Sequence, residues 1–404
     1  MAAVEFRHVD VIFGHDPKAA LEMLDRGEDR AAILEATGSV LGVHDATLAV
    51  EEGEICVLMG LSGSGKSSLL RCVNGLNKVT RGAVLVAEGG GRVDVASCDA
   101  ATLRHLRMSR IAMVFQQFAL LPWRTVAENV GLGLELRGMG RAERDRIVTE
   151  KLKLVHLDQW AGKYAHELSG GMQQRVGLAR AFATDADILL MDEPFSALDP
   201  LIREHLQDEL LELQRSLRKT IVFVSHDLDE ALKLGTHIAI MQDGRIIQYG
   251  TPEEIVGQPA TDYVRAFVAN VNPLNVLRGE SLMSPTSALD RDAGAPELVF
   301  LEPSGRYRCR LDKTRRPAAY LDGESEIRCV AWTPALDPAR DGNGAMISGT
   351  AATPMRAAIE ALHANGMPMP VLDGDGRLIG TIGARELVAG MLRRPREERE
   401  TTAS

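Results

Sequence analysis

The chain has 404 residues, 45% of them hydrophobic and 25% charged, with a net charge of -10. This length exceeds what one hydrophobic core usually organises, so two or three domains are expected. No apolar run approaches the roughly 20 residues of a membrane span, and acidic charge without a Lys/Arg-rich stripe argues against a nucleic-acid partner. Any membrane role is therefore expected to be peripheral.

Two further features indicate a reducing, cytoplasmic setting. The first ten residues lack the basic and apolar regions of a secretory signal peptide. The five cysteines are scattered and form no CxxC pair, so neither a disulfide framework nor a cysteine metal site is expected. They are Cys56, Cys72, Cys98, Cys309 and Cys329.

Helix signals occupy residues 14–40, an early segment that we treat as an insertion. Asp16 suits an N-cap before Pro17 at the first helical position, and Gly27 can end that helix. A second short helix is predicted over 28–36, stopped by Gly38. The segment is either functional or a surface elaboration, and the sequence leaves both open.

Residues 1 to about 273 alternate apolar strand patterns with helical stretches, which predicts an α/β domain. Several runs are apolar throughout, as in a buried, mainly parallel sheet with helices on both faces. Apolar periodicity weakens afterwards, which predicts a second domain over 274–392 and a charged tail over 393–404. The predicted strands are 54–59, 111–115, 188–191, 221–224 and 237–241.

A phosphate-binding loop is predicted at residues 60–67, which read GLSGSGKS and match GxxxxGK[ST]. An apolar strand precedes the loop and a helical pattern follows, as the motif requires. Backbone N–H groups can then converge on phosphate oxygens. Lys66 is expected to reach the β- and γ-phosphates of ATP, and the Ser67 hydroxyl to bind Mg²⁺. The nucleotide-binding residues predicted here are Gly60, Ser62, Gly63, Ser64, Gly65, Lys66, Ser67 and Ser68.

The apolar strand at 188–191 ends in two carboxylates, Asp192 and Glu193. Many buried strands end in an acid, so the pattern alone is weak. Beside the phosphate loop, Asp192 is placed to hold Mg²⁺ and Glu193 to polarise the attacking water. The two motifs together predict a site that hydrolyses a nucleoside triphosphate.

Four further segments, together with these two motifs, resemble the ATP-binding cassette (ABC) family in their order along the chain. They are Gln116 in VFQQF, LSGGMQQR at 168–175, SALD at 196–199, and His226 in VSHD. The resemblance covers residues 1 to about 273. It implies a P-loop ATPase fold with a RecA-like core and a helical subdomain.

In this family two cassettes close head to tail on two ATP molecules. The resemblance therefore implies a homodimer in which Ser169, Gly170 and Gly171, opening a helix, bind the γ-phosphate held by the other copy. Without dimerisation each site is half-built.

The resemblance also assigns roles around the phosphates. His226 is expected to steady the attacking water, and Gln116 to sense Mg²⁺ and water, which makes Glu193, His226 and Gln116 the predicted catalytic residues. The predicted metal ligands are Ser67, Gln116 and Asp192. Phe13 is the best match to the aromatic ring that stacks on adenine, with a core position as the alternative.

Three features resemble the quaternary-amine importers of the family: Met172 in the signature, the insertion, and LPWRTV at 121–126. This implies a peripheral subunit at the cytoplasmic face of the inner membrane. Its expected partners are integral membrane permease subunits and, indirectly, a solute-binding protein. Choline is favoured by overall resemblance, with glycine betaine and proline betaine open, because the ATPase never contacts the solute.

Other function classes fit less well. The signature at 168–175 excludes a small-molecule P-loop kinase. Soluble ABC ATPases usually carry two cassettes or a long coiled-coil insertion, and neither is found in this sequence. A soluble ABC ATPase without a transport role and an importer of another solute remain the alternatives.

Residues 369–382, preceded by a helical pattern over 355–365, resemble the strand, turn, strand unit of a CBS motif. Asp375 and Gly376 form its hairpin-type turn. An earlier copy around 282–332 is too eroded to assign. Pairs of CBS motifs commonly bind adenine nucleotides through a hydroxyl and a carboxylate. In this sequence those two positions hold Gly383 and Glu386. The missing hydroxyl favours a structural or dimerising role, with regulation by ionic strength as the alternative.

Overall fold

The computed structural model describes residues 2–269 and 271–392. The chain forms two compact units that divide between Pro252 and Glu253. This division falls earlier than the domain boundary predicted near residue 273. Glu253 forms an ion pair with Arg278 at 3.3 Å, which ties the helix after the division to the second unit. The tail predicted at 393–404 lies outside the described residues.

The first unit is an α/β domain, as predicted. Its strands are β1 (Ala2–Phe13), β2 (Val40–Glu51), β3 (Ile55–Met59), β4 (Arg81–Glu88), β5 (Gly91–Asp94), β6 (Ile111–Val114), β7 (Ile188–Asp192), β8 (Thr220–Val224), β9 (His237–Gln242) and β10 (Arg245–Gly250). Its helices are α1 (Pro17–Asp25), α2 (Arg30–Thr37), α3 (Lys66–Leu70), α4 (Ala100–Ser109), α5 (Val126–Val130), α6 (Leu132–Leu136), α7 (Arg141–Leu154), α8 (Gly170–Ala183), α9 (Pro200–Leu217) and α10 (Leu228–Leu234).

The central sheet has the order β10-β9-β3-β8-β7-β6. Strands β9, β3, β8, β7 and β6 pair in parallel, and β10 is antiparallel to β9. Every residue of β3, β7 and β8 is buried, which confirms the predicted mainly parallel, buried sheet. Because parallel strands end at the same edge, the segments that follow β3, β6, β7 and β8 meet there.

A second sheet, with the order β2-β1-β4-β5, is antiparallel throughout. Its inner face shares one hydrophobic core with the central sheet and α3. Phe6 of β1, Leu58 of β3 and Leu70 of α3 are fully buried members of that core. The phosphate loop between β3 and α3 is therefore held by packing on both sides.

The insertion folds as two short helices between β1 and β2. The Asp16 side chain accepts a hydrogen bond from the Ala19 backbone N–H at 3.0 Å, as expected of an N-cap. The second helix is Arg30–Thr37 rather than 28–36, because Asp29 is its N-cap. Gly38 ends it in a left-handed conformation with φ 64°.

The second unit contains α11 (Pro252–Gly257) from its second residue onward, α12 (Asp262–Val268) and α13 (Gly279–Leu282), followed by a mixed sheet. Its sheet has the order β11-β18-β17-β16-β15-β14-β13-β12. The strands are β11 (Ser284–Pro285), β12 (Leu298–Phe300), β13 (Tyr307–Leu311), β14 (Pro317–Asp322), β15 (Ser325–Ala331), β16 (Ala345–Thr350), β17 (Met369–Leu372) and β18 (Leu378–Ile382), and the remaining helices are α14 (Pro338–Asp341), α15 (Met355–Asn365) and α16 (Ala384–Met391).

The strand, turn, strand unit predicted at 369–382 is present as β17 and β18, with α15 before it. The Asp373 carboxylate accepts hydrogen bonds from the backbone N–H groups of Asp375 and Arg377 and so fixes the turn. The eroded region before it folds differently, as the antiparallel strands β12 to β15. Among the described residues, no helix is both long and apolar enough to cross a bilayer.

Candidate functional site

The phosphate loop joins β3 to α3 in the predicted way. Its glycines at positions 60, 63 and 65 have φ of 144°, 79° and 100°, a region that L side chains rarely adopt. A Cβ on Gly65 would also lie 2.4 Å from the Gly42 carbonyl oxygen. Glycine at these three positions therefore avoids backbone strain, and at Gly65 it also avoids a clash.

Lys66 lies buried beneath the loop and closes it. Its Nζ donates hydrogen bonds to the carbonyl oxygens of Gly60 at 2.8 Å and Leu61 at 2.9 Å. Burial lowers the pKa of Lys66, while the charges of Glu193 and Asp192 oppose part of that shift. A phosphate entering the loop would find this cation already in place.

Asp192, the last residue of β7, is fully buried and tied to the phosphate loop. The Ser67 hydroxyl donates to its Oδ1 at 2.7 Å, and Arg71 donates to its Oδ2 at 2.8 Å. The structure thus brings together two of the predicted metal ligands. Both offer oxygen donors, the ligand type that Mg²⁺ prefers.

Glu193 follows β7 in a strained backbone conformation with φ 48°. Its Oε2 accepts a hydrogen bond from Gln116 Nε2 at 3.2 Å and lies 3.2 Å from His226 Nδ1. The three residues predicted to be catalytic therefore meet at the carboxyl edge of the sheet. The strain is held by backbone contacts, since the Glu193 N–H donates to the Val224 carbonyl oxygen at 3.1 Å.

These groups face a cleft of about 520 Å³. Gly60, Ser64 and Asp192 are not among the residues that line it. The lining residues are Phe13, Arg30, Val40, Gly42, Ser62, Gly63, Gly65, Lys66, Ser67, Ser68, Gln116, Glu193 and His226.

Phe13 ends β1 at this cleft. Its side chain is 40% exposed, which excludes the alternative of a core phenylalanine. The ring lies against Gly42, where a Cβ would come within 2.6 Å of the Phe13 Cε2 atom. A glycine is thus required for the ring to occupy the cleft wall.

The signature residues lie apart from this cleft in the described chain. Ser169 is the N-cap of α8, and its hydroxyl accepts from the Met172 N–H at 3.3 Å. Gly170 and Gly171 follow on the first turn of α8, as predicted. None of the three is among the cleft lining, so an anion bound at this helix end would belong to another site.

Two residues that line the cleft or contact its residues were not identified from the sequence. Gln174 is buried, and its side chain donates to the Glu193 carbonyl oxygen and accepts from the Ala197 N–H, both at 3.0 Å. It links the signature helix to the catalytic segment. Arg30 of the insertion lines the cleft, although no motif marks it.

In the second unit, Glu386 holds the carboxylate position through which CBS motifs bind nucleotides, and its oxygens already accept hydrogen bonds within the chain. The Glu386 carboxylate accepts from the Gly383 N–H at 2.8 Å and from the Ser284 hydroxyl at 2.8 Å. The first of these bonds caps α16. This use of the carboxylate supports the structural role favoured from the sequence.

Comparison with known proteins fits the geometry. A family described as ABC transporter matches residues 43–196. The glycine betaine/proline betaine transport system ATP-binding protein ProV of Salmonella typhimurium is 42% identical over 394 residues, which cover 96% of this chain and 97% of the relative. The glycine betaine transport ATP-binding protein OpuAA of Bacillus subtilis is 49% identical over 291 residues, 72% and 69% of the two chains.

A solved structure of an ATP-binding cassette is also similar to this chain. The dimeric, post-hydrolysis ATP-binding cassette MJ0796, bound to ADP and Pi, has a TM-score of 0.53 and 31% identity, and covers 61% of this chain and 98% of its own. The chain belongs to the ABC transporter family. The family resemblance, the ABC ATPase fold and the ATPase activity predicted from the sequence are confirmed.

Proposed function

We propose that the chain is the ATP-hydrolysing subunit of an importer for glycine betaine, proline betaine or a related quaternary amine. The proposal rests on the 42% identity to the glycine betaine/proline betaine transport ATP-binding protein over 96% of this chain. This match extends through the second unit as well as the cassette. Choline was favoured from the sequence. The relatives described above are named for betaines, so we place the betaines first.

The proposed chemistry assigns each cleft residue one task. Lys66 exchanges its two carbonyl partners for the β- and γ-phosphates, and the loop N–H groups bind the remaining oxygens. Ser67, Asp192 and Gln116 would hold Mg²⁺, which would neutralise charge on the phosphates. Glu193 polarises the attacking water, with His226 beside it, and Phe13 stacks on the adenine ring.

A second copy of the chain would complete the site. Ser169, Gly170 and Gly171 present a hydroxyl and N–H groups at the start of a 14-residue helix, where the helix dipole favours an anion. They do not line the chain's own cleft, and the similar solved cassette is dimeric. We therefore propose a head-to-tail homodimer.

The membrane partners follow from the same proposal. Trp123 is 71% exposed. It lies in segment 121–130, which by resemblance to importers of this family would dock the permease. The homodimer would sit at the cytoplasmic face of the inner membrane, bound to permease subunits. A solute-binding protein would deliver the betaine from the other side.

The test is uptake of labelled glycine betaine, proline betaine and choline by vesicles that carry the whole transporter and contain ATP. Wild type is compared with Glu193→Gln in the same vesicles. We expect ATP-dependent betaine uptake that the variant loses. Uptake of none of the three solutes, or equal uptake by the variant, would refute the proposed function.

A further inference from the structure

Arg30 places a second cation at the cleft that contains Lys66. It is the first residue of α2 in the insertion and lines the cleft with Phe13 and Lys66. Its guanidinium nitrogens lie 3.4 Å from the Gly63 carbonyl oxygen in the phosphate loop. Within the described lining, Lys66 is the other lysine or arginine.

The hydrophobic side of the insertion holds Arg30 in this position. Ile33, one turn after Arg30, is fully buried. It shares a small core with Ala20 and Leu24 of α1 and with Ile12 and Leu41 of the flanking strands. Burial of these apolar side chains stabilises the contact, so α2 is packed against the flanking strands rather than attached only by its ends.

Ion pairs link the other side of the insertion to the flanking strands. Asp25, the last residue of α1, pairs with Arg81 of β4 at 2.7 Å. Arg81 also pairs at 2.6 Å with the buried Asp10 of β1. The helix pair therefore has a defined position relative to the strand that carries Phe13.

The present partners of Arg30 are weak. A distance of 3.4 Å is beyond the usual range for an N–H···O hydrogen bond. Its ion pair with Asp243, at 3.5 Å, involves a carboxylate whose side chain is 72% exposed, and such pairs contribute little. Exchanging them for a phosphate costs little, since guanidinium and phosphate groups can form two parallel charge-assisted hydrogen bonds.

We propose that Arg30 binds a phosphate group of ATP, which makes the insertion part of the nucleotide site. The inference rests on the proposed function, because it takes ATP as the occupant of the cleft. It gives residues 14–40 a function in place of the surface elaboration that the sequence left open.

The test is titration of the full-length chain with ATP, with ADP and, by competition, with adenosine. Arg30→Ala should weaken ATP and ADP binding by about tenfold, because a hydrogen bond to a charged group is lost, and leave adenosine binding unchanged. Arg30→Lys should recover part of the loss. Arg26→Ala is the matched control, since Arg26 is an exposed arginine of the same insertion outside the cleft.

Two results would overturn the inference. One is an ATP affinity in Arg30→Ala equal to that of Arg26→Ala, and the other is an equal loss for ATP and adenosine. Arg30→Gln, which keeps most of the side-chain stem, replaces the alanine variant if thermal unfolding shows that alanine disturbs the fold. Lys66→Ala tests the proposed nucleotide site separately from the Arg30 contact. If Lys66→Ala retains full ATP affinity, the proposed nucleotide site is wrong, independent of the result for Arg30.

Discussion

Replacing Glu193 by glutamine isolates the chemical step from folding and binding. The exchange keeps the side-chain shape and leaves an oxygen that can accept from Gln116 or His226, both now 3.2 Å from the carboxylate. The backbone strain at φ 48° is unaffected, because it is held by the Val224 carbonyl and Gln174. We therefore expect ATP binding to survive.

The magnitude follows from the role of a positioned base. Such a group contributes about 100-fold to 10,000-fold, which corresponds to about 2.7–5.5 kcal/mol of activation free energy. Glu193→Gln should lower the steady-state turnover of ATP by at least about 100-fold. Phosphate release by the purified full-length chain, with and without its permease, measures this loss.

The control is Glu204→Gln, the same chemical change at an exposed position of α9. It should turn over ATP like the wild type. Turnover of Glu193→Gln within a few-fold of the control would refute the assignment of Glu193 as the base. Loss of ATP binding by Glu193→Gln would instead show that the carboxylate acts in binding.

Two further predictions concern stability. Burial alone would raise the pKa of Asp10, but hydrogen bonds from His44, the Asp45 N–H and Arg81 hold it below its ordinary value. The charge therefore stabilises the fold above about pH 4, and this contribution is lost as pH falls through the lowered pKa. Asp10→Asn should lower the free energy of unfolding by on the order of 3 kcal/mol at neutral pH. Measured by urea unfolding, the difference from wild type should narrow below about pH 4. A difference that does not change with pH would contradict this prediction. Glu386→Ala should lower the unfolding free energy of the second unit by about 1 kcal/mol, because α16 loses its cap. In urea unfolding, the midpoint of one transition should move to lower urea concentration. An unchanged midpoint would show that the cap does not contribute to stability.

Much of the cleft could be predicted because its motifs are local. A loop of glycines before a lysine has few ways to fold between a strand and a helix, so residues 60–68 could be assigned from their order alone. Gln116 and His226 were assigned through the family resemblance, and the structure shows that they and Glu193 each follow a strand of one parallel sheet, whose strands end at one edge. That topology brings them to one edge, and the structure places Gln116 Nε2 and His226 Nδ1 each 3.2 Å from Glu193 Oε2.

The sequence by itself determined the α/β cassette, the phosphate loop and the two carboxylates that end a buried strand, because these depend on backbone conformation and strand order. Only the tertiary structure decided that Arg30 reaches the phosphate loop, that Gln174 joins the signature helix to Glu193, and that Glu386 caps its own helix. Each of these depends on the packing of side chains distant in sequence. No local periodicity records such contacts, since they arise when separate elements share one core.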